Sequence, residues 1–200
     1  MAEETFYIVV DIETDGPVPG RHAIRNLSAV ATDHLGSEIG SFTVNLAAPA
    51  GTSPDPSTLT CWQDFEPDIW SMITTDPQAI GSAMSAFGTF VQCFEGDRIF
   101  VGHPLAFDGL WLSHYMQEIL GQGLMAFHGV QNLLFFGAGI DLPSFVAGTL
   151  GIDYALCRHG RYPAVAATNI PHTHHGLDDA RGHADVLRKT LAVIAKRNRD

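Results

Sequence analysis

The feature that most constrains this chain is the run Tyr7-Ile8-Val9-Val10-Asp11-Ile12-Glu13, an apolar β-type stretch ending in two carboxylates one residue apart. Strand side chains alternate faces, so Asp11 and Glu13 project together from one face. A strand this apolar is buried, and two anions side by side at its end repel unless a cation lies between them. Hard carboxylate oxygens with no cysteine nearby suit Mg²⁺ or Mn²⁺. The plain alternative is a strand that ends in a solvated acidic turn, and so short a pattern does not separate the two. Two acidic motifs further along do.

The first of these is Gly102-His103-Pro104-Leu105-Ala106-Phe107-Asp108. It follows a short apolar stretch that predicts a central strand over 98–102, and it opens a helix running to about Gly121. Taken alone, Asp108 reads as an N-cap or a first-turn acid of that helix. The other is His172-Thr173-His174-His175-Gly176-Leu177-Asp178-Asp179. Leu177, Ala180, Ala184, Leu187, Leu191 and Ala195 recur at three- and four-residue steps, which marks the buried face of a C-terminal helix. Gly176 breaks the chain before it and Asp178 can serve its first turn. Asp179 is rotated from Asp178 by about 100° and so faces elsewhere. The histidines lie on the preceding loop, which can fold one of them back over a site.

With these three motifs in order, the chain resembles the DEDDh group of 3′–5′ exonucleases, from residue 5 to about 195. That family carries D-x-E in its first motif, an aspartate after Gly-His-x-x-x-Phe in its second, and H-x-x-x-x-D in its third. The matching positions here are Asp11 and Glu13, Asp108, and the pair His174 and Asp179. The five-residue spacing selects that pair, because Ala180 stands five after His175 and Thr173 stands five before Asp178. Pro104 departs from the small or polar residue common after the second motif's histidine. The resemblance implies a ribonuclease H-like α/β fold and a metal-dependent exonuclease releasing nucleoside 5′-monophosphates. Two divalent cations, Mg²⁺ or Mn²⁺, would be held by Asp11, Glu13, Asp108 and Asp179, with Asp11 bridging. Two such ions about 3.5–4 Å apart clamp the attacking and leaving oxygens of an in-line displacement. His174 would be the general base, because a neutral imidazole takes a proton from water near pH 7. Groups after the first motif's glutamate meet the 3′-hydroxyl in this family, and Thr14 and Asp15 occupy those places. His103 is expected to buttress the second motif rather than bind metal, and His172 and His175 are read as loop histidines.

Net charge of −11 sits awkwardly with a phosphate-binding enzyme, which usually shows a basic footprint. Two divalent ions would offset the four ligand carboxylates. Arg21, His22 and Arg25 cluster after the first motif, and Arg158, His159 and Arg161 before the third. Arg158 and Arg161 are the candidates for holding substrate phosphate. A small footprint on the 3′ end of single-stranded RNA or DNA fits the acidic total better than a grip on long duplex. The long first loop and compact size lean toward RNA through the RNase T-type members of the group, with a DNA-directed proofreading-type enzyme as the alternative. Dimerisation is common in that group, so a homodimer is anticipated.

The coarse organisation is one domain over 1–200. Strands are predicted over 5–12, 27–32 and 39–46, with a turn at Gly36 and a proline-rich loop over 48–60 within an inserted region of 48–76. Trp62, Phe65 and Trp70 in that region are candidates for stacking on bases, Trp62 foremost; Trp111 is expected in the core. Helical spacing covers 77–94 with Asp76 as N-cap, a strand is placed near 133–136, and a short helix over 141–150 stops at Gly151. Residues 152–176 are expected to be irregular. No apolar run is long enough to span a membrane, and three scattered cysteines without zinc spacing predict reduced thiols in a cytoplasmic protein. A zinc hydrolase built on His172-Thr173-His174-His175 fails, because Gly176 and Leu177 stand where further ligands are needed. A non-catalytic binding module on the same fold is the other rival, disfavoured because all five catalytic positions are intact.

Overall fold

In the computed structural model, residues 4–124, 133–158 and 160–199 are described. Strands β1 (Thr5–Thr14), β2 (Ile24–Thr32) and β3 (Glu38–Asn45) form an antiparallel meander, and β4 (Asp97–Gly102) and the short β5 (Ile140–Asp141) add parallel to its β1 edge. The sheet order is β3-β2-β1-β4-β5. Among the described residues six α-helices accompany it: α1 (Pro56–Phe65), α2 (Pro67–Thr74), α3 (Ile80–Gln92), α4 (Leu105–Leu120), α5 (Leu142–Leu150) and α6 (Gly176–Arg197). This is the mixed, helix-flanked sheet of a ribonuclease H-like fold.

Alternation along β1 sorts the two cores. Ile8, Val10 and Ile12 pack with Met84, Phe87, Trp111 and Leu112 of α3 and α4. Val9 faces the other way, with Val30, Val101, Val146, Ala180, Ala184 and Leu187, under α5 and α6. Asp11 and Glu13 share the parity of Val9, so they emerge on the α6 side. A register shift between Glu13 and Thr14 ends the regular β1–β2 pairing at the carboxylates, as bulges beside sites commonly do. The N-terminus of α6 comes unusually close to β2. A Cβ built on Gly176 would stand 2.5 Å from Asn26 Oδ1 and 2.9 Å from Ser28 Oγ. Glycine there lets Asp179, three residues on, reach β1.

Four expectations shift. The region 48–76 is not one loop: α1 starts at Pro56, because Asp55 accepts from the main-chain N–H groups of Ser57 and Thr58 and proline suits the first helical turn. Prolines that read as breakers are here a helix start. The helix expected over 77–94 is α3, which begins at Ile80, because Gln78 pairs with β3, its N–H donating to Asn45 O and its carbonyl accepting from Ala47. Asp76 is therefore no N-cap and has φ 46°. No strand forms over 133–136; Leu133 makes one bridge to Gly123, and the edge strand is Ile140–Asp141. Part of the aromatic stretch expected around that strand lies outside the described residues. Residues 152–158 and 160–175 are irregular as expected, apart from a 3₁₀ turn at Tyr154–Leu156. Trp111 is fully buried.

Candidate active site

Four carboxylates from three elements converge at the end of β1. Asp11, Glu13, Asp108 and Asp179 are 8%, 7%, 3% and 2% exposed. One oxygen each from Asp11, Glu13 and Asp179 lie within 4.8 Å of one another. Asp108 stands beside that trio at the first turn of α4, where its Oδ2 accepts from the His103 N–H at 2.8 Å. The His103–Pro104 peptide is cis. Asp11 Oδ2 is buried and has no hydrogen-bond partner among the described residues. A buried carboxylate oxygen is costly to leave unpaired, so this donor set fits a divalent cation: all oxygen, all anionic, sheltered from water.

Electrostatics agree. Burial, then repulsion from Glu13, Asp108 and Asp179, pushes the Asp11 carboxyl well above its ordinary range. Burial, then Asp179 and Asp108, does the same to Glu13. Burial lifts Asp108 to about 7, against the pull of main-chain donors from His103 and Ile12. A raised folded-state carboxyl binds more protons folded than unfolded between the two pKa values, so its contribution to stability falls as pH rises through that window. For Asp108 the window runs from 3.8 to about 7. Chelated protein should therefore melt at a higher temperature near pH 6 than at pH 8, and Mn²⁺ added at pH 8 should raise the melting temperature. Melting curves flat with both pH and Mn²⁺ would refute a strained carboxylate cluster.

The histidines divide by partner. His174 Nδ1 is 3.9 Å from Glu13 Oε1, and its ring meets that of Trp62 edge-on at 5.7 Å. Burial and the neighbouring His172 lower its pKa, so the imidazole stays neutral. His172 Nδ1 lies 2.9 Å from Asp179 Oδ2, and that bond raises its pKa. His175 Nδ1 approaches Asp178 Oδ2 at 3.5 Å, and Asp178 also faces Arg181 at 3.9 Å. Both side chains of this last pair are surface groups, apart from the carboxylate trio. His172 is thus more intimately placed than a loop histidine; nothing local in the sequence distinguishes it from its neighbours.

A cleft of about 220 Å³ opens beside Glu13, lined by Ile12, Thr14, Trp62, Glu66, Phe107 and His174 among others. Trp62 is fixed there by its indole N–H, which donates to Thr14 O at 2.9 Å, and by stacking on Trp70 at 6.1 Å. Phe65 points away, 74% exposed. The Thr14 hydroxyl donates to Gly16 O. Asp15 is fully buried and tied into the fold. Its N–H donates to Ala23 O, its carbonyl accepts from Asp55, and its carboxylate accepts from Ala23 N and faces Arg25 at 3.6 Å. Its Oδ2 has no hydrogen-bond partner among the described residues, but the residue is fully buried, so in this structure Asp15 braces the corner beside the cleft. Arg25 also lies over Trp70 at 5.7 Å, which ties it to the same corner. Arg158 and Arg161 are exposed, and Arg158 lines a second cleft of about 360 Å³ with His103, Pro104 and Tyr154. His159 lies outside the described residues. A roomier groove of about 640 Å³ between Leu35 and the end of α6 shares no residue with this site.

The fold has the architecture found in DEDDh 3′-exonucleases. No family model matches the chain. The chain is 19% identical to the 3′-5′ DNA exonuclease Cap18 of Escherichia coli, covering 99% of this chain and 98% of that protein. Its fold is similar to the nuclease domain of 3′hExo, a DEDDh family member, bound to rAMP (TM-score 0.66, 10% identity, 94% of this chain and 92% of that one). It is also similar to a 3′-exonuclease that recognises the histone mRNA stem-loop (TM-score 0.66, 11% identity), covering 95% of this chain and 64% of that longer one.

Proposed function

We propose that this chain is a metal-dependent 3′–5′ exonuclease acting on the 3′ end of single-stranded nucleic acid. The observation that carries the reading is the buried trio Asp11, Glu13 and Asp179, with one oxygen from each within 4.8 Å and Asp11 Oδ2 without a hydrogen-bond partner among the described residues, beside a cleft walled by Trp62. Asp11, Glu13, Asp108 and Asp179 would hold two divalent cations, Mg²⁺ or Mn²⁺. When bound, such ions supply an activated water and stabilise the leaving oxyanion. His174 takes the proton of that water, which adds to phosphorus as the P–O3′ bond breaks. The terminal residue leaves as a 5′-monophosphate, and the shortened strand keeps a 3′-hydroxyl. Trp62 and Phe107 bracket the cleft in which the terminal base would sit, with Thr14 at its edge. Such apolar contact is sequence-tolerant.

The sugar is left to the assay. The lean toward RNA rested partly on compact size, yet the curated relative of nearly equal length acts on DNA. Both substrates belong in one test. Matched RNA and DNA single strands, labelled at the 3′ end, should release nucleoside monophosphates with Mg²⁺ or Mn²⁺ and none with chelator. Release from neither strand would sink the proposal. Arg158 and Arg161 are proposed to hold phosphate. In a catalytically dead background, truncating both should weaken binding and flatten the log–log salt slope by about 0.7 per lost contact. An unchanged slope would move the grip elsewhere, with Arg21 the candidate now that Arg25 is engaged by Asp15 and Trp70. Among the described residues no helix is long and apolar enough to cross a membrane. A cytoplasmic setting, with Cys61, Cys93 and Cys157 as free thiols, and a homodimer complete the proposal; sedimentation velocity tests the latter.

A further inference from the structure

Behind the carboxylates stands an imidazole that the mechanism does not use. His183 is 2% exposed, and its Nδ1 lies 3.8 Å from Asp11 Oδ1. Its ring stacks on that of His103, with 4.2 Å between centroids and 16° between planes. His103 is held from two sides. Its Nε2 is 2.8 Å from the Tyr162 hydroxyl, and its main-chain N–H donates to Asp108 Oδ2 at 2.8 Å. Asp11 therefore faces the His183 ring and Asp108 is bonded to the main chain of His103, so both carboxylates adjoin one stacked pair of residues, anchored on Tyr162 in the irregular segment. The 3.8 Å contact is longer than a hydrogen bond, and the ring stack on His103 is a contact that positions His183 beside Asp11. One helical turn separates His183 from Asp179, which places both on the same face of α6.

We propose that His183 is a positioning residue, and that with His103 and Tyr162 it forms a stacked strut holding Asp11 and Asp108 in place for a divalent cation. The inference rests on the metal-site reading above. Small hard cations tolerate little distortion of their ligands, and mutual repulsion drives these carboxylates apart whenever space permits. A cavity in place of the His183 ring would provide that space.

The test is Mn²⁺ titration of the full chain without nucleotide, followed by calorimetry and by loss of the free-ion paramagnetic signal. His183→Ala should bind Mn²⁺ at least about tenfold more weakly, the usual scale for lost support of metal ligands. His183→Phe keeps the ring face and should recover most of that affinity. Tyr162→Phe removes one hydroxyl remote from the cation and should weaken binding in the same direction. The Tyr162→Phe/His183→Ala double variant should be no weaker than His183→Ala alone, because the strut is already broken. Metal-free melting curves show whether each variant folds, and Tyr162→Phe with His183→Phe carries the test if His183→Ala does not. Wild-type affinity in both His183→Ala and Tyr162→Phe, equal losses in His183→Ala and His183→Phe, or strictly additive losses would each overturn the strut. A wild-type protein that binds no Mn²⁺ would instead overturn the metal reading on which it rests.

Discussion

Replacing Asp11 with alanine should lower turnover by several orders of magnitude while leaving the fold intact. Asp11 offers a buried Oδ2 with no hydrogen-bond partner among the described residues, and one of its oxygens lies within 4.8 Å of oxygens of both Glu13 and Asp179. Loss of that oxygen would remove a proposed cation ligand that no other described group replaces. Stability should move little or upward at pH 8 without metal. The carboxyl is held well above its ordinary range by burial and by three neighbouring acids, so removing its charge relieves repulsion as packing is lost. Asp11→Asn keeps the shape and should be nearly as inactive, which separates charge from volume. The measurement is monophosphate release with Mg²⁺, alongside metal-free melting. Near-wild-type turnover in the alanine variant would remove Asp11 from the chemistry.

His174→Ala should cost on the order of 10²–10⁴ in rate, the scale of a lost general base, with Mn²⁺ affinity retained. The structure adds reasons beyond spacing. His174 faces Glu13 across 3.9 Å and has its pKa lowered by burial and by His172, which favours the neutral, proton-accepting form. Its φ of 57° is a left-handed conformation, costly for a residue with a Cβ and found most often where function demands it. His172 is the rival. Its bond to Asp179 raises its pKa and ties up one nitrogen, so it is the poorer base, and His172→Ala should cost far less. His175→Ala and Asp178→Ala, which break only surface contacts among His175, Asp178 and Arg181, should be close to wild type. Rates of all four variants at saturating metal decide the matter; a larger loss in His172→Ala than in His174→Ala would transfer the role.

Much of this geometry was legible in the chain because it follows from local periodicity. Two-residue alternation puts Asp11 and Glu13 on one face, and the apolar stripe from Leu177 to Leu191 lays α6 on the same side of the sheet. Asp179, one step around from Asp178, then turns inward. Helix starts were harder to see where proline cuts both ways, as at Pro56, whose role depends on the Asp55 cap. His183 was overlooked although its four-residue offset from Asp179 on a predicted helix would have placed it on the buried face.

The strand, the last helix and the order of the acidic motifs were determined by the sequence alone, since each is encoded by residues a few positions apart. Three matters were decided only by the tertiary structure. Asp15 is spent on Ala23, Asp55 and Arg25; Trp62 closes a cleft over Glu13; and His172, not only His174, comes back onto the carboxylates. Each depends on where an irregular segment returns to the sheet. That return is set by contacts between residues tens of positions apart, such as Trp62 with Thr14 or His103 with Tyr162, which no local pattern records.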